Sequence, residues 1–255
     1  MRINREGSVT QWLLSGCALL LCWASVARGA EPADSARAVV DVRQQVMQLV
    51  DAYGGRAALE RVKAYRMEGR IVAAQAGREG PMTRSFQRAG KLRVELRYPD
   101  QTETRIVRGE QGWRGVGTDV RAAQGMMLDA MVMQAARSDL PLFLLAHLDS
   151  VRVIDSIERD SLRLDGLEAS FGAGRSLRAY VDPATHRVLM SQSVLKTESG
   201  AMEFETNYSD FRNVGQVWFA FREDNFASGT ATGTMTIEKV TINPIFKPAE
   251  FAAPR

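Results

Sequence analysis

The sequence predicts an α+β protein, mainly antiparallel β, in which about eleven strands form one curled sheet whose inside is covered by helices. Three observations point there. Long stretches alternate apolar and polar residues with a period of two: Leu92, Val94, Leu96 and Tyr98 alternate with Lys91, Arg93, Glu95 and Arg97, which buries one strand face and wets the other. The breaks between such stretches, at Gly77-Arg78-Glu79-Gly80, Ala89-Gly90, Pro99-Asp100 and Gly109-Glu110, are too short for the crossovers that parallel pairing requires. Between Gln124 and Leu148 the alternation gives way to a Met-rich apolar block of helical character.

The first thirty residues read as a secretory signal peptide. Arg2 and Arg5 precede a mainly apolar stretch from Trp12 to Ala24, followed by the small residues of Ser25-Val26-Ala27-Arg28-Gly29-Ala30. The apolar part is short for a membrane span, and no later stretch reaches about 18 uninterrupted apolar residues, so an exported, soluble mature protein is expected. Cleavage after Ala27 and cleavage after Gly29 both satisfy the small-residue rule. Leu14-Ser15-Gly16-Cys17 matches the pattern that precedes a lipidated cysteine, which would tether the protein to a membrane. The short apolar run before Cys17 and the stronger hydrophobicity after it, Ala18 to Trp23, favour the soluble form.

Composition narrows the chemistry. Cys17 and Cys22 both lie in the signal, so the mature chain has no cysteine for disulfides, thiol catalysis or metal binding. The full chain carries a formal net charge of +3; loss of Arg2, Arg5, Arg28 and Glu6 with the signal leaves 30 basic and 29 acidic residues, a balance that gives no reason to expect a nucleic-acid partner. Residues 31–255 suffice for one large domain with its own core, and no linker, low-complexity tract or repeat divides them.

In chain order, Asp34 or Ser35 can cap a helix on which Val39, Val42, Val46, Leu49 and Tyr53 recur at helical spacing. Gly54-Gly55 ends it, and a short second helix covers about Ala57 to Val62. Strands follow at about 64–74, 81–88, 92–98, 102–108 and 112–116. After the Met-rich block, strands resume at about 151 and continue to about 242, with Asp182-Pro183-Ala184-Thr185 as one of the turns.

The block itself reads as two short helices. Met126, Met127, Met131 and Met133 come first; Leu140, Leu142, Phe143, Leu144, Leu145 and Leu148 follow a polar break at Arg137, Ser138 and Asp139. Methionine is flexible and polarizable enough to repack around partners of differing shape, and it is equally a common core filler. A helix packed into a concave sheet can be core on one side and ligand wall on the other.

No catalytic constellation emerges. His147 and His186 have no second metal-type ligand at helical or hairpin spacing. No G-x-S-x-G, H-E-x-x-H or phosphate loop is present; Gly229-Thr230-Ala231-Thr232-Gly233-Thr234 lacks the lysine and reads as a flexible turn. Glu158 and Asp160 suit a solvated strand end. No enzymatic activity, metal or cofactor is expected.

Several short segments in a shared order resemble the LolA/LolB-like outer-membrane lipoprotein-sorting superfamily. Asp51-Ala52-Tyr53-Gly54-Gly55, with Leu59, Val62 and Gly69, is similar to its opening; Gly112-Trp113-Arg114 resembles a mid-sheet turn, and the segment from Tyr180 to Met190 a hairpin. Tyr208-Ser209-Asp210-Phe211-Arg212-Asn213-Val214-Gly215, with Asn243 and the terminal Phe251-Ala252-Ala253-Pro254, looks like the closing strands. Ala220 departs from the proline that relatives often carry, and the chain is longer than the compact carriers.

The resemblance implies an incomplete, half β-barrel closed by helices around an apolar cavity that accepts acyl chains. Leaving a 15-methylene chain in water costs on the order of 12 kcal/mol, so crossing an aqueous compartment demands shelter. By the same resemblance, Met126, Met127, Met131, Met133, Leu140, Phe143 and Leu144 are the candidate lid wall. Leu92, Val94, Leu96, Tyr98, Phe204 and Tyr208 are the candidate sheet wall, with Trp113 and Trp218 as rim or wall aromatics. The implied protein is a periplasmic carrier of a lipoprotein, lipid or other acylated ligand, met by inner- and outer-membrane transport components. The rival is a non-transport module of the same fold, an envelope-stress sensor or assembly component.

Overall fold

The computed structural model describes the backbone of residues 32–253 apart from Ala76, Ala173 and Ser199; the signal segment, Cys17 and Pro254 lie outside the described residues. Helix α1 (Pro32–Ala52) buries Val46, Leu49 and Val50, an i, i+3, i+4 stripe. The chain then turns sharply into α2 (Arg56–Arg61), with the Gly54 N–H donating to the Asp51 carbonyl at 3.0 Å and the Gly55 N–H to the Val50 carbonyl at 3.1 Å.

Gly54 is irreplaceable here for two reasons: its φ is 117°, and a Cβ would come within 2.0 Å of the Gln216 carbonyl oxygen. The neighbouring Trp218 N–H donates to the Tyr53 carbonyl at 3.1 Å, which fastens the helix end to that hairpin. Gly54→Ala is expected to destabilise the protein by about 2 kcal/mol, from strain and displaced backbone together, read as a lower urea midpoint at unchanged slope. Gly55→Ala, at φ 83° but with no atom nearer than 3.8 Å, should do less.

Thirteen strands follow: β1 (Ala64–Ala73), β2 (Glu79–Gln87), β3 (Lys91–Arg97), β4 (Thr102–Arg108), β5 (Gln111–Val116), β6 (Asp119–Ala122), β7 (Val151–Arg159), β8 (Leu162–Phe171), β9 (Arg175–Val181), β10 (Val188–Thr197), β11 (Gly200–Val214), β12 (Val217–Ala227) and β13 (Thr230–Ile242). They make one antiparallel sheet in the order β6-β5-β4-β3-β2-β1-β13-β12-β11-β10-β9-β8-β7. The expected count of about eleven is exceeded. One strand the sequence did not suggest is β6, a four-residue edge strand without an apolar alternation.

The topology dictates where the helical insert lies. β1 and β13 pair in the middle, so two meanders run outward to free edges at β6 and β7. The two edges do not pair, and the sheet remains an open half-barrel. Helices α3 (Gly125–Arg137) and α4 (Leu140–Ala146) connect one edge to the other, so the insert must travel across the sheet. It does so over the concave face and packs on both halves. Met131, Val132 and Ala135 join a cluster with Met67, Leu92 and Leu96, while Met133, Leu140 and Leu144 join α1 residues on Leu167, Leu177 and Ala179. The break between α3 and α4 is tied to the sheet: the Tyr65 hydroxyl donates to the Ser138 carbonyl at 2.9 Å, and Arg88 pairs with Asp139 at 3.1 Å.

The convex face receives the C-terminal segment. A 3₁₀ turn at Pro248–Phe251 buries Phe251, and the Glu250 carboxylate accepts from Arg66 at 2.8 Å and from the Ser85 hydroxyl at 2.7 Å.

Candidate functional site

Strand register fixes which side chains share the concave face. Met67 opposes Arg84, Arg84 opposes Val94, Val94 opposes Arg105, and Arg105 opposes Arg114, so one row crosses five strands. From the other half, Glu223 opposes Met235 and Tyr208. Helix α3 passes over this face so closely that a Cβ on Gly112 would come 2.9 Å from Leu128 Cδ1 and 3.2 Å from Met131 Cε. β5 therefore carries no side chain where the helix crosses it.

In the middle of the face lies a buried ion pair. Arg84 Nη1 and Nη2 donate to Glu223 Oε1 and Oε2, each at 2.7 Å, and both side chains are only 7% exposed. Burial alone would raise the Glu223 carboxyl, but the guanidinium overrides it and holds the carboxyl below the usual range. The same pairing keeps Arg84 charged against the opposing effect of burial. Nearby, burial pushes the Tyr208 phenol up, and its hydroxyl lies 2.8 Å from Ser191 Oγ.

Beside this pair a cavity of about 420 Å³ lies between lid and sheet. The lid contributes Met127, Ala130, Met131, Gln134 and Arg137; the sheet side contributes Ile71, Leu96, Tyr98, Phe204 and Met235, and its charged members are Arg78, Glu103, Arg105, Arg114 and Glu205. Met127 is 43% exposed, and Arg114, Gln75 and Thr232 are exposed too, which marks where the cavity meets solvent. A smaller space of about 110 Å³ adjoins it, sharing Gln134 and Arg137 and bounded by Leu140, Tyr208 and Trp218.

The candidate residues thus divide. Leu96, Tyr98, Met127, Met131 and Phe204 line the larger space; Leu140, Tyr208 and Trp218 line the smaller one. Met133 and Leu144 are fully buried against α1 and β8–β9, and Leu92 and Val94 are buried core beneath the lid. Met126 is exposed and borders neither space. Phe143 stacks on His147 at 4.1 Å and meets Phe171 edge-on at 4.9 Å, away from both. Trp113 belongs on the opposite face: it pairs with Ile106 and lies under the Arg108 guanidinium, because its neighbours Gly112 and Arg114 take the concave positions.

The charged members of the site, Arg84 and Glu223 among them, lie outside the apolar set that the sequence predicts. A signal for them exists. Arg84 stands between Met82 and Phe86 at strand spacing, and Glu223 stands two residues from Phe221, so each interrupts an apolar face. Among the described residues no group of three or more His, Asp or Glu side chains is placed to hold a metal ion.

No family model matches the chain, and no curated protein is significantly similar to it. Solved structures do match. A domain described as an outer membrane lipoprotein-sorting protein from Vibrio parahaemolyticus aligns over 85% of this chain and 97% of its own, at 10% identity and a TM-score of 0.50. A DUF1329 family protein from Desulfovibrio piger aligns over 83% and 97%, at 12% identity and a TM-score of 0.53. The LolA superfamily protein NE2245 from Nitrosomonas europaea aligns over 82% and 97%, at 10% identity and a TM-score of 0.53. At these identities the likeness is one of fold, and the fold that this chain shares is that of the LolA superfamily and its lipoprotein-sorting relatives.

Proposed function

We propose that this protein is an exported, periplasmic carrier that shelters the acyl part of a lipoprotein, lipid or other amphiphile by reversible sequestration, without covalent chemistry. The observation that carries this reading is the cavity of about 420 Å³ roofed by methionines of the lid and floored by Leu96, Tyr98 and Phe204. Its volume lies in the range of small-molecule sites, and each methylene moved into it from water contributes about 0.8 kcal/mol. The signal-like N-terminus supports the compartment, and the shared fold supports the substrate class.

The lining also suggests how the space is blocked. Ala130 on α3 faces the cavity, and Ala130→Trp fills it without changing charge. Uptake of a fluorescent fatty-acyl probe by the purified exported protein is the readout. The variant is expected to bind the probe at least about ten-fold more weakly while keeping the wild-type circular dichroism, the loss corresponding to two or more methylenes excluded. A wild-type protein that takes up no acyl probe would sink the reading. Movement of the probe from donor to acceptor vesicles, accelerated by the protein, separates a carrier from a sensor that only binds.

A further inference from the structure

The cavity has a feature that acyl shelter does not explain: it is lined by four guanidiniums. Arg105 and Arg114 are direct cross-strand partners on the concave face, an arrangement in which like charges repel. Burial, and then the charge of Arg114, pull the Arg105 guanidinium below its ordinary value, and Arg137 acts in the same sense from the last turn of α3. The carboxylate of Glu103 lies 3.8 Å from Arg105 and 3.7 Å from Arg78, and Arg78 also pairs with Asp100 at 3.4 Å, so Glu103 is the one carboxylate paired with Arg105. Arg114 spends its Nη1 donor on the uncharged sulfur of Met127 at 2.8 Å. Among the described residues neither Arg114 nor Arg137 forms an ion pair.

A largely apolar space lined by four guanidiniums and two carboxylates, Glu103 and Glu205, suits a molecule of the reverse polarity, an apolar chain ending in an anion. Guanidinium suits this because its planar fork donates two parallel hydrogen bonds to a carboxylate or phosphate. We propose that the cavity selects anionic amphiphiles, with Arg105, Arg114 and Arg137 holding the carboxylate or phosphate head while the chain lies along Leu96, Met131 and Phe204. The inference rests on the acyl-binding reading and narrows it, since a lipoprotein whose terminal amine is acylated presents no anion at that point.

Calorimetric titration of the purified exported protein with decanoate and decyl phosphate below their micellar concentrations, and with decanol below its solubility limit, tests both layers. The two anions are expected to bind about ten-fold or more tightly than decanol, and added salt should weaken them alone. The relative affinity of decanoate and decyl phosphate tells which head the arginines prefer. In the triple variant Arg105→Gln, Arg114→Gln, Arg137→Gln the affinities of the three ligands should converge to within about two-fold of one another. Relief of the Arg105–Arg114 repulsion should keep its melting temperature at or above that of the wild type. Should the triple variant fail to fold, the exposed Arg114→Gln alone decides, with an expected loss of about three-fold in anion preference. Equal binding of decanol and the anions by the wild type, or a preference that survives the substitutions, overturns the head-group site and leaves acyl binding intact. Binding of none of the three overturns acyl binding as well.

Discussion

Glu223→Gln is expected to lower stability by about 3–5 kcal/mol, because it leaves the Arg84 guanidinium buried beside a group that cannot neutralise it. The pair itself is worth less than its rupture. Arg84→Met combined with Glu223→Leu should return stability to within about 1 kcal/mol of the wild type or exceed it, since the desolvation of two charges disappears with them. Urea unfolding of the two single variants and the double variant measures this coupling. The pH dependence follows from the same residues. The folded Glu223 carboxyl titrates below its unfolded value near 4.5, so its contribution is fully present above that pH and is lost as pH falls through the folded value. The acid side of the stability profile should therefore be shallower in the double variant than in the wild type.

This pair also reports on shape. β2 and β12 are separated in the sheet by β1 and β13, three spacings of roughly 4.8 Å if the sheet were flat. Arg84 and Glu223 nevertheless meet at 2.7 Å, which requires the intervening strands to curve around them. The ion pair is a chord across that curvature, and the cavity lies beside it. Uptake of decanoate is accordingly expected to stay reduced in the double variant even where its stability recovers.

Much of this architecture is legible in the sequence, and what is not has a physical reason. Alternation at Leu92, Val94 and Leu96 identifies both the strand and its buried face, and helix α1 announces itself by the spacing of Val42, Val46 and Leu49 and by the glycines after it. The break at Ser138 and Asp139 separates α3 from α4 as the polar residues there suggest. Trp113 faces away from the cavity, against the expectation, because the concave position beside it is Gly112, where the face is marked by a missing side chain rather than by an apolar one. The methionines could not be sorted in advance: α3 touches both halves of the sheet, and only the packed helix separates the buried Met133 from the exposed Met126 and Met127. Arg84 and Glu223 lie 139 residues apart, and their contact depends on the closing β1–β13 pair that no local pattern encodes.

Leu144→Ala is expected to destabilise the protein by about 2–5 kcal/mol, and to do so through the lid. Leu144 is fully buried with Met133 against the α1 and β8–β9 side of the core. α4 has seven residues, too few to persist as a helix without tertiary contacts, so it exists only as long as that packing holds. Met127→Ala, at a position 43% exposed, should change stability by less than about 1 kcal/mol while weakening ligand uptake, which separates wall from core within one helix pair. Amide hydrogen exchange locates the effect. In Leu144→Ala the Phe143 and His147 amides, which donate to Asp139 and Phe143, should lose protection before the amides of β8 and β9. Such a local loss makes α4 a segment that can lift while the sheet stays folded, giving an acyl chain a way in along the lid. A uniform loss across helix and sheet would instead bind them into one cooperative unit, and entry would have to pass the open end beside Met127 and Arg114.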